Sequence, residues 1–357
     1  MREKENMLRC IRFEKPEYIP MRFGINPACW AHYDQEALKD LIEGHPRLFP
    51  DYKRPPGEVV VNYSLNARAN QPYTDPWGCV WETAEDGITG SVHQHPLATW
   101  DAFDRYVPPN PAETDGTFPL DWQVIEKQVR DTRANDGLVW FGLPHGHTFL
   151  RLQDIRGYED FLVDLADEEP RVFKLIEMVS DFNYQLVNRY LALDPDVFGY
   201  AEDLGMQVGP MISPAYFRKH IKPVYQHIMK PAREKGCIIH MHSDGDIRTL
   251  ADDLVDAGVG ILNLQDLVNG IDWIAAKFAG KICIDLDVDR QKVTCFGTPQ
   301  EIDALIREEV EKLGSPQGGL MMIYGLYPGV PLRNVEAVMD AMEKYMGHFS
   351  DSRTAKR

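Results

Sequence analysis

The sequence predicts an α/β protein, a (β/α)8 TIM barrel with an elaborated N-terminal region. Three observations carry this. In the second half, apolar β-type runs alternate with amphipathic helical stretches across short connections. No G-x-G-x-x-G and no Walker A loop follows any strand, so open nucleotide-binding sheets lose support. The chain has 357 residues, whereas a typical barrel takes about 250, which leaves about 100 for additions. The expectation is one domain over 1–350, with an insertion at approximately 25–135 and a polar tail at 351–357.

The elements follow in order. Tyr18–Phe23 and Leu138–Gly142 read as barrel strands, and Glu58–Asn62 is a weaker candidate. The stretch from Tyr73 to Pro109 is rich in proline, glycine and tryptophan and reads as irregular or hairpin structure. Long helical stretches cover Tyr158 to Leu193. Val197–Glu202 reads as a strand, and Ser213 then caps a helix with Pro214 at its first position. Cys237–His242 is the next strand. Its helix puts Ile247, Leu250 and Leu254 on one face and stops near Gly258. Gly260–Leu264 and Lys281–Asp285 are strands. Thr298-Pro299-Gln300-Glu301 is a capping box that opens a helix ending at Gly314. Gly319–Tyr324 is the last strand, and a final helix near Pro331 carries Val335, Val338 and Met342 on one face.

Composition narrows the function classes. Lysine and arginine number 38 against 55 aspartates and glutamates, a formal net charge of −17. That disfavours nucleic acid and anionic membrane surfaces as partners, since both are bound through a surplus of basic residues. No apolar h-region follows Met1-Arg2-Glu3-Lys4-Glu5 and no run suits a bilayer span, so a cytoplasmic location is expected. The six cysteines are scattered without a C-x-x-C pair, which fits a reducing compartment.

Barrel enzymes place their chemistry at the C-terminal ends of strands, and the polar residues gather there. Side chains two apart share a strand face, so His240 and His242 face inward while Ile239 and Met241 face the helices. Two such imidazoles can ligate one zinc with a carboxylate from another strand, for which Glu202 is the candidate. The competing reading has one histidine orienting a substrate and the other hydrogen-bonded in the core. Asp244 and Asp203 are candidate acid–base groups, and Asp246 is as well suited to capping a helix. Tyr324 is either a catalytic hydroxyl or filler at the barrel mouth. Arg22, His145, Asn263, Gln265 and Asp285 are candidate substrate-binding residues.

Glu202-Asp203-Leu204-Gly205-Met206-Gln207, Ile212-Ser213-Pro214 with Phe217, Lys222-Pro223 and His242-Ser243-Asp244-Gly245-Asp246 resemble the uroporphyrinogen decarboxylase superfamily. Phe296-Gly297-Thr298-Pro299, Pro331-Leu332-Arg333-Asn334-Val335, Arg12–Pro16 with Ile19-Pro20, and Asp75–Trp81 continue the match. The resemblance implies a (β/α)8 barrel and either tetrapyrrole decarboxylation or corrinoid-linked methyl transfer. True decarboxylases of the superfamily carry an arginine-rich segment after the first strand. Here Pro20–Pro27 holds only Arg22, too little to offset an octacarboxylate in an acidic protein. Zinc methyltransferases of the superfamily use H-x-C plus a later cysteine. Here His242 stands at the first cysteine and Tyr324 at the second, so a nitrogen–oxygen site, or none, replaces the thiolate site. No D-x-H-x-x-G corrinoid signature occurs, which implies that a partner protein carries the corrinoid. Methyl transfer from a small O- or N-methyl substrate is therefore the leading expectation. The alternatives are a decarboxylase with Arg22, Arg151 and Arg156 convergent on its substrate, and a non-catalytic corrinoid or tetrapyrrole binder.

Overall fold

The computed structural model describes residues 3–350, so the expected tail at 351–357 lies outside the described residues. Contacts divide the chain into two compact units. One takes the chain up to Asn70, Thr83–Thr89 and the chain from Asn263 onward; the other takes Gln71–Glu82 and Gly90–Leu262. In chain order the strands are β1 (Met21–Ile25), β2 (Tyr73–Thr74), β3 (Val80–Glu82), β4 (Ser91–Gln94), β5 (Trp140–Leu143), β6 (Val197–Asp203), β7 (Ile238–Asp244), β8 (Ile261–Gln265), β9 (Cys283–Asp287) and β10 (Leu320–Leu326). The architecture is α/β. Among the described residues seven strands belong to the larger sheet, β1 and β5 to β10, one fewer than an eight-stranded barrel requires. No helix among them is long and apolar enough to cross a membrane.

In the first unit β1 pairs in parallel with β10, and β10 with β9. Partners in parallel register share a face. Arg22 stands opposite Ile323, and Met321 opposite Asp285, on one face; Phe23 stands opposite Tyr324 on the other. The helix Pro299–Leu313 starts with the expected capping box, Thr298 and Glu301 each accepting from the other's backbone N–H. The helix Leu332–Met346 buries Val335, Val338 and Met342 completely. The strand expected over Glu58–Asn62 is not formed. Gln35 substitutes for a neighbouring strand there: Val59 N–H donates to its Oε1 at 2.7 Å and its Nε2 donates to Val59 C=O at 3.2 Å. One side chain satisfies one residue's backbone, so no ladder forms and Val60 stays 90% exposed.

In the second unit β5, β6 and β7 run parallel, with Gly142, Gly199 and His240 in one row. A Cβ on Gly142 would lie 2.8 Å from the Gly199 carbonyl oxygen, so the strands could not close as they do with a larger residue. The helix opened by Ser213 and Pro214 passes through one π-turn at Phe217–Ile221 into Lys222–Glu234. The proline- and tryptophan-rich stretch holds the antiparallel set β2-β3-β4. Asp75 organises it from a buried position, accepting Trp77 N–H at 2.9 Å, Cys79 N–H at 3.0 Å and Trp81 Nε1–H at 2.9 Å. The buried Arg151 guanidinium, from helix Phe149–Arg156, completes the set at 2.5 Å.

Candidate active site

Strand parity builds the site in the second unit. The register sets Asp203 beside Asp244 and Ala201 beside His242. Asp203, His242 and Asp244 therefore share one face of β6 and β7. His145, on the loop after β5, joins them. Its Nε2 lies 3.2 Å from Asp203 Oδ1. His242 Nε2 lies 3.5 Å from the same oxygen and 3.5 Å from Asp244 Oδ1.

His145, Asp203 and His242 could hold a metal ion. Zinc–nitrogen and zinc–oxygen bonds of about 2.0–2.2 Å set the edges of a tetrahedron near 3.3–3.5 Å, and the 3.2 and 3.5 Å separations from Asp203 Oδ1 are close to that. Two imidazoles and one carboxylate are a common catalytic zinc donor set. The three groups are also coupled electrostatically. Burial works to raise the Asp203 carboxyl, but hydrogen bonds from His145 and His242 hold it far below the usual carboxylate range. Burial works to lower His145, yet Asp203 beside it leaves the imidazole above its ordinary value.

The loops that follow are fixed against each other. Asp244 N–H donates to Asp203 Oδ1 at 3.2 Å and Leu204 N–H to Ser243 Oγ at 2.9 Å. Gly205 N–H donates to Asp244 C=O at 3.1 Å, and Asp246 N–H to Met206 C=O at 2.8 Å. A Cβ on Gly205 would sit 2.5 Å from Asp246 N and 2.8 Å from Gly245 Cα.

Several expected site residues are placed otherwise. Glu202 is not beside the histidines. It shares the opposite face of β6 with Phe198 and Tyr200, fully buried, and accepts backbone N–H groups from Thr148 at 2.5 Å, Phe149 at 2.9 Å and Leu150 at 3.2 Å. Burial pushes its carboxyl up to about 7 against the pull of those donors. His240 does share a face with His242, but one strand repeat lower, about 6.6–6.8 Å along the strand. There it packs edge-on against Trp140 at 5.0 Å and is not in the ligand cluster. Tyr324 is fully buried beside Phe23, ring centroids 5.1 Å apart, on the face opposite Arg22 and Asp285. That burial raises its hydroxyl well above the ordinary value. Asp246 caps no helix, because the next one runs Ala251–Ala257 with Leu250 at its N-cap; its carboxylate instead binds the Arg248 guanidinium at 2.7 Å and accepts Gly209 N–H at 3.1 Å. The arginine holds it down at about 2.

The first unit gathers a second group of expected residues. Arg22 Nη2 donates to Asp285 Oδ2 at 2.7 Å, and Asn263 Nδ2 donates to the Asp285 carbonyl at 2.6 Å. Gln265 follows two residues on, its carbonyl accepting from Asn269 at 2.8 Å. The arginines a decarboxylase would need are committed elsewhere. Arg151 is held by Asp75 and Thr117, and Arg156 by Asp164, Asp160 and two backbone carbonyls.

Sequence reasoning missed Thr148 and Asn183. Asn183 Nδ2 donates to His147 C=O at 2.8 Å and to Thr148 Oγ1 at 3.1 Å, tying the loop after β5 to the helix Pro170–Leu191. No local pattern marks an asparagine 35 residues away as a partner. The parity of Glu202 was readable: it alternates with Phe198 and Tyr200, an apolar helix-side series, whereas Asp203 alternates with Gly199 and Ala201.

Comparison with known proteins agrees with this architecture. The family model described as Uroporphyrinogen decarboxylase (URO-D) matches residues 78–345. Among solved structures, a methyltransferase from Methanosarcina mazei superposes with a TM-score of 0.65 at 16% identity, covering 96% of this chain and 98% of that one. A B12-independent methionine synthase from Shewanella sp. W3-18-1 matches at a TM-score of 0.44 and 10% identity, over 65% of this chain and 68% of that one, too distant to bear on activity. No curated protein matches in sequence.

Proposed function

The chain belongs to the uroporphyrinogen decarboxylase (URO-D) family, and from that premise we propose that it is an enzyme moving a methyl group from a small O- or N-methyl compound to a corrinoid carried by another protein. The observation that carries this reading is the His145–Asp203–His242 cluster, with Asp244 next to it. Its donors suit zinc, which when bound supplies Lewis-acid polarisation of the leaving oxygen or nitrogen. His145, Asp203 and His242 hold the metal, and Asp244 holds the proton that the leaving atom takes up. The chain is taken as one barrel-type enzyme over 1–350, with its chemistry at the C-terminal strand ends.

The test has two arms. Elemental analysis of freshly purified protein is expected to give one zinc per chain, lost in the His145→Ala, His242→Ala double variant. Methyl transfer is then assayed with methoxyl and N-methyl compounds against corrinoid proteins encoded nearby, with H242A expected to lose at least 100-fold in rate. Absence of zinc, or carbon dioxide release from a carboxylated substrate without any corrinoid, would sink the reading.

A further inference from the structure

Three consecutive residues of β6 grip the loop that carries His145, and they do so from both faces of the strand. Ala201 C=O accepts Gly146 N–H at 2.8 Å. Glu202 accepts the N–H groups of Thr148, Phe149 and Leu150 on the helix side. Asp203 meets the His145 imidazole on the other side. The middle contact has the most partners. It is a carboxylate, fully buried, and it serves three donors at the start of a helix. Around it the loop has little freedom left. His147 is fully buried with its Nδ1 3.6 Å from Glu202 Oε1 and 2.6 Å from Thr148 Oγ1, and Asn183 holds the loop from behind. His145 itself is half exposed and leads straight into this anchored stretch.

We infer that Glu202 is a positioning residue for the metal cluster: by fastening residues 146–150 to β6 it sets where the His145 imidazole stands relative to Asp203 and His242. The inference rests on the reading of that cluster as a zinc site. Glu202 touches none of the ligand atoms; it acts through His145. The two Glu202 oxygens serve three backbone N–H donors, with the Tyr225 hydroxyl and His147 also beside them. A glutamine keeps one acceptor oxygen for Thr148 and Phe149 but turns its NH2 towards the Leu150 N–H, leaving that buried donor unmatched and the loop freer to shift.

The experiment is a zinc titration of the apoprotein, with zinc alone against a chromophoric competitor, on wild type, H145A, E202Q and the double variant. Loss of an outer partner of a metal ligand typically costs 10–100-fold in affinity. E202Q is expected to weaken zinc by about that factor while its circular dichroism stays native. In the H145A background the same substitution is expected to change affinity less than about twofold, because its route to the metal is gone. A native E202Q that binds zinc like wild type overturns the inference, as does an equal loss in both backgrounds. Wild type that binds no zinc overturns the cluster reading instead. If E202Q is unfolded, E202D, which keeps the charge and withdraws it by one methylene, carries the same comparison. Failure of both to fold also overturns the inference, since Glu202 would then determine the fold rather than the place of His145.

Discussion

At the scale of single residues, the site turns on which of two adjacent carboxylates faces the histidines. Glu202 and Asp203 differ by one methylene and one position, and the pleat sends them to opposite faces of β6. Chemistry alone favoured the glutamate; alternation with Phe198 and Tyr200 decides for the aspartate. The same one-residue argument puts Tyr324 on the face opposite Arg22 and Asp285. D203N keeps the shape of the cluster but takes away a charge shared by His145 and His242. It is expected to weaken zinc at least 10-fold in the chelator competition and to lower thermal stability at neutral pH, since the stability of the depressed carboxyl is lost with its charge. Glu309 offers a separate residue-scale test. It is fully buried on helix Pro299–Leu313 beside Asp266, and burial with that neighbour raises its carboxyl well above the ordinary value. Its folded form thus binds a proton that the unfolded chain has released. Stability from this group is full below the unfolded value near 4.5 and is lost as pH rises towards the folded value. E309Q, always neutral, is expected to match wild type near pH 4.5 and exceed it at pH 8, measured by urea unfolding at both. A wild type that gains on the variant as pH rises would contradict this.

At the scale of elements, the parallel strands and their helices were legible because each signal was local. The capping box at Thr298, proline after Ser213 and the glycine at 258 each act within one turn of chain. What escaped was set by partners far away. Glu58–Asn62 has a β-branched run but only Gln35 to bond to, so propensity was not matched by a neighbour. Arg151 looked like a substrate ligand because nothing nearby in sequence reveals Asp75. Replacing one member of that buried pair leaves a charge without compensation, at a cost of about 3–5 kcal/mol. R151M is expected to lose that much in urea unfolding and to expose the β2-β3-β4 segment to limited proteolysis first. The crossing of the loops after β6 and β7 is equally intolerant. G205A pushes a methyl into Gly245 and is expected to cost about 1–3 kcal/mol, a typical overpacking penalty, with weaker zinc as the loops bearing Asp203 and Asp244 separate.

At the scale of the whole molecule, the charge of −17 acts on every ligand that approaches. Self-repulsion keeps the protein dispersed, and a polyanion meets an opposing field. The committed arginines mean that no local reversal offsets this through Arg151 or Arg156. A tetrapyrrole octacarboxylate is therefore expected to bind weakly, with Kd above about 0.1 mM or −5.5 kcal/mol. Added salt is expected to tighten its binding by screening the repulsion. Fluorescence titration of such a porphyrin at low and high ionic strength checks both. Micromolar binding that weakens with salt would reveal a cationic pocket. Charge and the α/β class were plain in the sequence, since both are sums over many residues. The candidate cluster was only half plain, because it depends on single residues brought from three stretches of chain.

The amides that Glu202 holds also have a consequence in time. Thr148 and Phe149 lie at the end of a connection, where backbone hydrogens normally exchange with solvent within seconds. Here they point at a buried carboxylate and can be released only when β6 parts from the loop. Their deuterium uptake should therefore follow the slow openings of the sheet and not the quick fraying of its connections. A segment that carries a candidate ligand would then keep the clock of the core.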